Sequence, residues 1–386
     1  MISQTDPQMD LQTNSQIENK NKNKSNKIKE EECIRPDNNN INNINVKILN
    51  MCCPKVRDLL TWYQPEQRTK EWFDFRRNMI TASQWGAITG DNPYSSFKQT
   101  LIEKCTPRKF ITNRAMTWGT KYEQVATDFY EKLKTTHVIE FGCLQHPKYP
   151  FLGASPDGIT PAGIMLEIKC PLSRKITGIV PRYYWAQIQG QLEVCDLEQC
   201  DFLECKIVEY EDEEEYQNDT EEENRGTVLT FIDTEDDNRA IYKYSPFHIS
   251  GGDLDNWENG VFAEMEKNQR YEFSEQTYWK LDHYSCVMVE RDREWFKTAL
   301  VQLTDFWNKV VYYREHGIDK LTEKEKKMKD VVESRKGILD KHIDFLMNSY
   351  CERNGISIPN NNGNSILLDD ENMENNDNRN EPCLFF

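Results

Sequence analysis

Three charged side chains stand in a stretch that otherwise reads as a buried strand. In GASPDGITPAGIMLEIKCP, Gly153 to Pro171, Asp157 precedes a run of Ile, Met, Leu and Ile that carries Glu167 and Lys169. Read as a hairpin, the stretch turns at Pro161-Ala162-Gly163, with Gly163 in the left-handed position that such loops favour. Thr160 then faces Ile164, and the same register sets Asp157 opposite Glu167. Facing side chains have Cβ atoms about 4.5–5.5 Å apart, so two carboxylates there repel unless a positive charge lies between them. Strand alternation puts Met165, Glu167 and Lys169 on one face. Oxygen donors of this kind suit Mg²⁺, with Mn²⁺ able to substitute, rather than zinc. A bound metal of this type lowers the pKa of water, and Lys169 would orient that water or, with a depressed pKa of its own, take its proton. The competing expectation is a solvated strand face, on which a Glu-Lys pair contributes about 0–1 kcal/mol and no chemistry.

The surrounding elements must hold these groups in place. Helical spacing of Trp72, Phe75 and Met79 predicts a helix, and Thr81 or Ser83 can cap a shorter one that stops at Gly90. TWGTKYEQVATDFYEKL is amphipathic, with Tyr122, Val125, Ala126 and Phe129 on its apolar side. Strand signals run from Val138 to Lys169. PRYYWAQIQGQLEVC reads as a helix opened by Pro181, and DFLECKIVEY, GTVLTFID and AIYKYSPFHI as strands. Beyond Asp253 the pattern is mostly helical. The order predicts a mixed α/β fold with one central sheet flanked by helices, plus a helical C-terminal region.

Composition divides the 386 residues further. An Asn/Lys-rich tail is expected to be disordered over residues 1–50, followed by a core over 51–252. A helical extension follows over 253–356 and a disordered acidic tail over 357–386. Residues 209–224 hold ten acidic and no basic residues and read as an exposed acidic loop. The net charge of −17 lies almost wholly in that loop and the two tails, so the nearly neutral remainder can still carry a basic groove for phosphates. No secretory signal or long apolar run is seen, which makes the expectation an intracellular, non-secreted protein without a membrane partner. The twelve cysteines form no CxxC pair and read as reduced structural thiols.

The blocks WFDFRRNMITAS, WGTKYEQVA, GASPDG, LEIKCP and YYWAQIQGQLEV, in that order over residues 71–209, resemble the YqaJ-type viral recombinase branch of the PD-(D/E)xK nucleases, the family of phage lambda exonuclease. The resemblance implies a restriction-endonuclease-like core. It implies that Asp157 and Glu167 ligate the metal with the Ile168 carbonyl nearby, that Lys169 positions the water, and that Glu123 adds an acidic group from its helix. Arg76 is implied to hold a DNA phosphate, with Ser83 as a further phosphate contact. Gln187 and Gln189 match the family's glutamines, which implies a catalytic role for Gln187 and a DNA phosphate contact for Gln189. Tyr184, Gln187 and Gln191 share a helical face while Gln189 points elsewhere, which ranks Gln187 first.

The activity implied is that of a Mg²⁺-dependent exonuclease resecting double-stranded DNA with free ends, in recombination or repair. A single-strand annealing protein is the implied partner, and a homo-oligomer is open. The Asn/Lys-rich style resembles proteins of AT-rich large DNA viruses, hence a viral protein acting in an infected host cell. Two alternatives stand beside this: a structure-specific endonuclease, such as a junction resolvase or restriction-like enzyme, and a catalytically silent DNA-binding or scaffolding protein.

Overall fold

The computed structural model describes residues 46–65, 69–106, 112–237, 239–319 and 321. The expected tails over 1–45 and 357–386, and the extension beyond residue 321, lie outside the described residues. The end of the first expected tail is ordered: α1 (Val46–Met51) sets Ile48 and Leu49 against the core. Helix α2 (Pro54–Leu60) starts on a proline, whose missing N–H the first turn does not need, and buries Val56, Leu59 and Leu60. Thr69 caps α3 (Lys70–Arg77) by accepting from the Trp72 N–H at 3.2 Å. Strand β1 (Ile80–Thr81) leads through a 3-10 turn, Ala82–Gln84, into α4 (Trp85–Thr89). Thr81 is the cap of that turn, in a reciprocal box with Gln84, and Gly90 ends α4 as expected.

Helix α5 (Phe97–Cys105) precedes the long α6 (Arg114–Lys134), which buries the predicted stripe of Tyr122, Val125, Ala126 and Phe129. Short strands β2 (Leu144–Gln145) and β3 (Leu152–Ala154) join β1 in a small sheet ordered β1-β3-β2. The hairpin strands β4 (Gly158–Ile159) and β5 (Met165–Lys169) follow, then α7 (Arg182–Cys195), β6 (Gln199–Glu209) and β7 (Arg225–Asp233). With β8 (Arg239–Tyr244) and β9 (Tyr271–Glu290) they build a six-stranded sheet ordered β4-β5-β6-β9-β7-β8. Only the β5-β6 pair is parallel among its ladders, so the sheet is mixed as predicted.

The alternation of β5 assigns its two faces to two helices. Met165 packs with Ile188 and Leu192 of α7, whereas Leu166 and Ile168 pack with Val125 and Phe129 of α6. Glu167 and Lys169 therefore lie on the α7 side.

Two expectations are refined. Among the described residues beyond Asp253, α9 (Gly251–Met265) and α10 (Arg293–His316) are helical as expected, but the 20-residue strand β9 runs between them. Because β9 lies between β6 and β7, no structural boundary falls at residue 252. The acidic segment is not a bare loop either. It carries α8 (Glu213–Asn218), anchored by the fully buried Tyr216, whose ring lies under the Arg225 guanidinium at 4.3 Å. No helix among the described residues is long and apolar enough to cross a membrane.

Candidate active site

The hairpin has the predicted register. Ile159 pairs with Met165 and Gly158 with Leu166, so Asp157 and Glu167 stand at the next facing position. Gly163 has φ +88°, and the Thr160 carbonyl accepts from its N–H at 2.9 Å. Ile168 N–H donates to the Asp157 carboxylate at 2.6 Å, which fixes that side chain against β5.

Glu167 is fully buried, which overturns the solvated-face alternative. An ionised carboxylate out of water is tolerated only with donors around it. Here Gln187 Nε2 donates to Oε1 at 2.7 Å, Gln191 Nε2 donates to Oε2 at 2.6 Å, and the Lys169 ammonium pairs with Oε1. The Lys169 ammonium also lies 5.2 Å from the centroid of the Tyr184 ring. Gln187 and Gln191 are one helical turn apart on α7, the face the sequence predicted; Gln191 was legible as part of that face but carried no assigned role.

Charge is unbalanced within this group. Burial first, then the neighbouring Glu167 and Glu123 carboxylates, raise the Asp157 carboxyl well above its ordinary range. Burial works to lower Lys169, but the Glu167 and Asp157 carboxylates outweigh it and hold the ammonium above its usual pKa. Lys169 is thus a firm cation, not the depressed base considered from sequence. Glu123 on α6 is exposed, yet its carboxylate acts on Asp157.

Among the described residues, no three His, Cys, Asp or Glu side chains close into a ready metal cage. The donor chemistry nevertheless fits a hard divalent cation: two opposed carboxylates, one pushed toward protonation by burial and then by the other, are what such a cation relieves.

A second group flanks the first. β1 and β3 run parallel, so Ser83 and Ser155 emerge from the same end of that pair. Arg76 Nη1 donates to Ser155 Oγ at 2.8 Å, and its guanidinium stacks 4.3 Å over the Trp72 ring. Ser83 Oγ sits 3.2 Å from Thr81 Oγ1. Lys104 donates to the Arg76 carbonyl at 2.9 Å; burial, then Arg76 and Arg314 beside it, push its ammonium down to about 7. Gly190 lets α7 approach this region, since a Cβ there would meet Ala82 Cβ at 3.0 Å and the Trp85 ring at 2.9 Å. Ser155 was not singled out in the sequence, though it lies inside the GASPDG block.

Gln189 does not join the site. Its Nε2 donates to the Glu290 carbonyl at 2.8 Å and its Oε1 accepts from the Asp292 N–H at 2.6 Å. The 100° turn per residue points it away from Gln187, and both ends of its amide are used to fasten β9 and α10 to α7. The expected phosphate role is therefore replaced by a structural one.

The chain is similar to known proteins over part of its length. Residues 71–198 match the YqaJ-like viral recombinase domain. An uncharacterized protein of Acanthamoeba polyphaga mimivirus is 30% identical over 69% of the chain and 57% of its own length. An African swine fever virus protein is 32% identical over 33% of the chain and 46% of its own length. The chain thus spans about half the length of these relatives. Among solved structures, the Laribacter hongkongensis alkaline exonuclease LHK-Exo in complex with dAMP is similar with a TM-score of 0.42 and 21% identity, over 66% of the chain and 99% of that protein.

Proposed function

From a chain whose residues 71–198 form a YqaJ-like viral recombinase domain, we propose a divalent-metal-dependent deoxyribonuclease that resects double-stranded DNA from free ends. The observation that carries this reading is the buried Glu167, opposed to Asp157 and held by Lys169, Gln187 and Gln191. Asp157 and Glu167 would hold Mg²⁺, with the Ile168 carbonyl and Glu123 close by. When bound, Mg²⁺ would supply an activated water and neutralise charge on the phosphate.

The protein's own groups do the rest. Lys169, kept protonated, donates to the attacking oxygen and fixes its direction. Arg76, hydrogen-bonded to Ser155, binds a strand phosphate by charge-assisted hydrogen bonds, with Ser83 at the same end of the β1-β3 pair as a further donor. Gln187 keeps Glu167 in the orientation that serves the cation. A viral protein working on DNA in the host cell fits its viral relatives. A single-strand annealing protein is the partner for the strand that resection exposes.

Linear and covalently closed duplex DNA, incubated with wild type and Lys169→Ala in Mg²⁺ or EDTA, test this reading. The expected result is Mg²⁺-dependent loss of linear DNA alone, slowed about 10³-fold or more in the variant. Cleavage of closed circles would favour the structure-specific endonuclease, and tight binding without cleavage the scaffold.

A further inference from the structure

The carboxamide of Gln191 joins two parts of the site that lie far apart in sequence. Its Nε2 donates to Glu167 Oε2 at 2.6 Å and to the Ser155 carbonyl oxygen at 3.3 Å. Ser155 Oγ in turn accepts from Arg76 Nη1 at 2.8 Å. Arg76 on α3, Ser155 just before Asp157, Gln191 on α7 and Glu167 on β5 therefore form one hydrogen-bonded chain.

The amide is used unevenly. Gln191 is 1% exposed, and its Oε1 is buried with no hydrogen-bond partner among the described residues. Leaving a buried amide oxygen unsatisfied is costly, and in a folded protein such a group has a reason. Turning the amide over would not help, because the oxygen would then face a carboxylate and a carbonyl, both acceptors. Nothing grips the acceptor end, so the two donors are held only by Ser155 and Glu167. Of these bonds the one to Ser155 is long and the one to Glu167 short.

We propose that Gln191 is a positioning residue that couples anion binding at Arg76 to divalent-cation binding at Glu167, an inference that rests on the nuclease reading. An anion that takes the Arg76 guanidinium releases Ser155. The Ser155 carbonyl can then draw the Gln191 donors toward itself, which frees Glu167 Oε2 to serve a cation. The site would thereby favour the cation when a strand phosphate is already seated. Such coupling is reciprocal, so the cation tightens the anion by the same factor.

The test uses the full chain and a binding readout. Mn²⁺ is titrated by calorimetry into wild type, Gln191→Met and Ser155→Ala, each with and without inorganic phosphate. Gln191→Met keeps the side-chain length and removes both donors. Ser155→Ala breaks the link to Arg76 and leaves Gln191 in place, so it decides the matter alone should the first variant fail to fold. Association of Mn²⁺ with phosphate in solution is common to all three proteins and cancels in the comparison.

Phosphate is expected to tighten Mn²⁺ about tenfold in wild type and less than about twofold in either variant. Full tightening in a folded Gln191→Met, or in Ser155→Ala if that variant does not fold, would mean that the two ligands attract each other directly and would overturn the proposal. Mn²⁺ binding by wild type that ignores phosphate would overturn the coupling and leave the nuclease reading standing. No Mn²⁺ binding by wild type would remove both.

Discussion

The β4-β5 hairpin and the lobe built from β7, β8, the first half of β9, α8 and α9 handle charge in opposite ways. The lobe pairs its buried Asp233 with Arg270 and keeps the acids of its acidic segment outside, with Glu211, Glu213, Glu214 and Glu215 exposed and Tyr216 anchoring α8. Water and salt screen such groups, and their number says little about chemistry. The hairpin carries fewer charges but takes Glu167 fully out of water and sets Asp157 opposite it. Asp233 and Glu204 are buried too, but each faces an arginine, whereas Glu167 faces a second carboxylate. That opposition, not overall acidity, sets the hairpin apart.

If that contrast is right, the largest stability change comes from the apolar cluster in which the lobe meets the hairpin. Trp279 of β9 is 1% exposed and lies against Gly226, where a Cβ would meet its ring at 2.9 Å. Trp279→Ala is expected to destabilise by about 3–5 kcal/mol in urea unfolding. One shared transition for the whole sheet would show the lobe and the hairpin to be a single cooperative unit; a separate early transition would divide them.

A smaller effect of opposite sign is expected in the hairpin. Because the folded pKa of Asp157 is raised, its contribution is present below the unfolded value of 3.8 and is lost as pH rises through the folded pKa. Asp157→Asn keeps an acceptor for the Ile168 N–H and has no such proton to lose. Without metal at neutral pH it should stabilise the protein by about 1–2 kcal/mol, while cleavage disappears. Thermal melts across pH, with and without Mg²⁺, check this; a variant less stable than wild type in EDTA would break the comparison. The smallest effect belongs to the exposed acids: Glu214→Gln, Glu221→Gln and Glu223→Gln should each move stability by no more than about 0.5 kcal/mol. A larger loss in the same melts would give the acidic segment a structural role.

The hairpin was legible because its signals are local. Pro161 to Gly163 fixes the turn, the turn fixes the register, and alternation then places Glu167 and Lys169 together. The split between Gln187 and Gln189 followed from helical period alone. β9 was not legible, and its bulges explain why. Opposite β6 the pairing jumps from His283 to Leu281, and opposite β7 from Glu275 to Phe273, so Asp282 and Ser274 are extra residues. Each insertion reverses which side of the sheet the next residue faces, which erases a period-2 pattern over 20 residues. The roles of Ser155 and Gln191 were hidden for another reason: they depend on partners brought together only by the fold.

The central position of β9 also bears on how the protein is made. It is the last strand to leave the ribosome among the described residues, yet it fills the gap between β6 and β7. Gln189 on α7 takes its partners from Glu290 and Asp292. A nascent chain that has already exposed Asp157, Glu167 and Lys169 therefore lacks the strand that closes the sheet behind them. At about 5–20 residues per second, the interval between Lys169 and Asp292 lasts on the order of ten seconds, during which β6 and β7 wait for the strand that joins them.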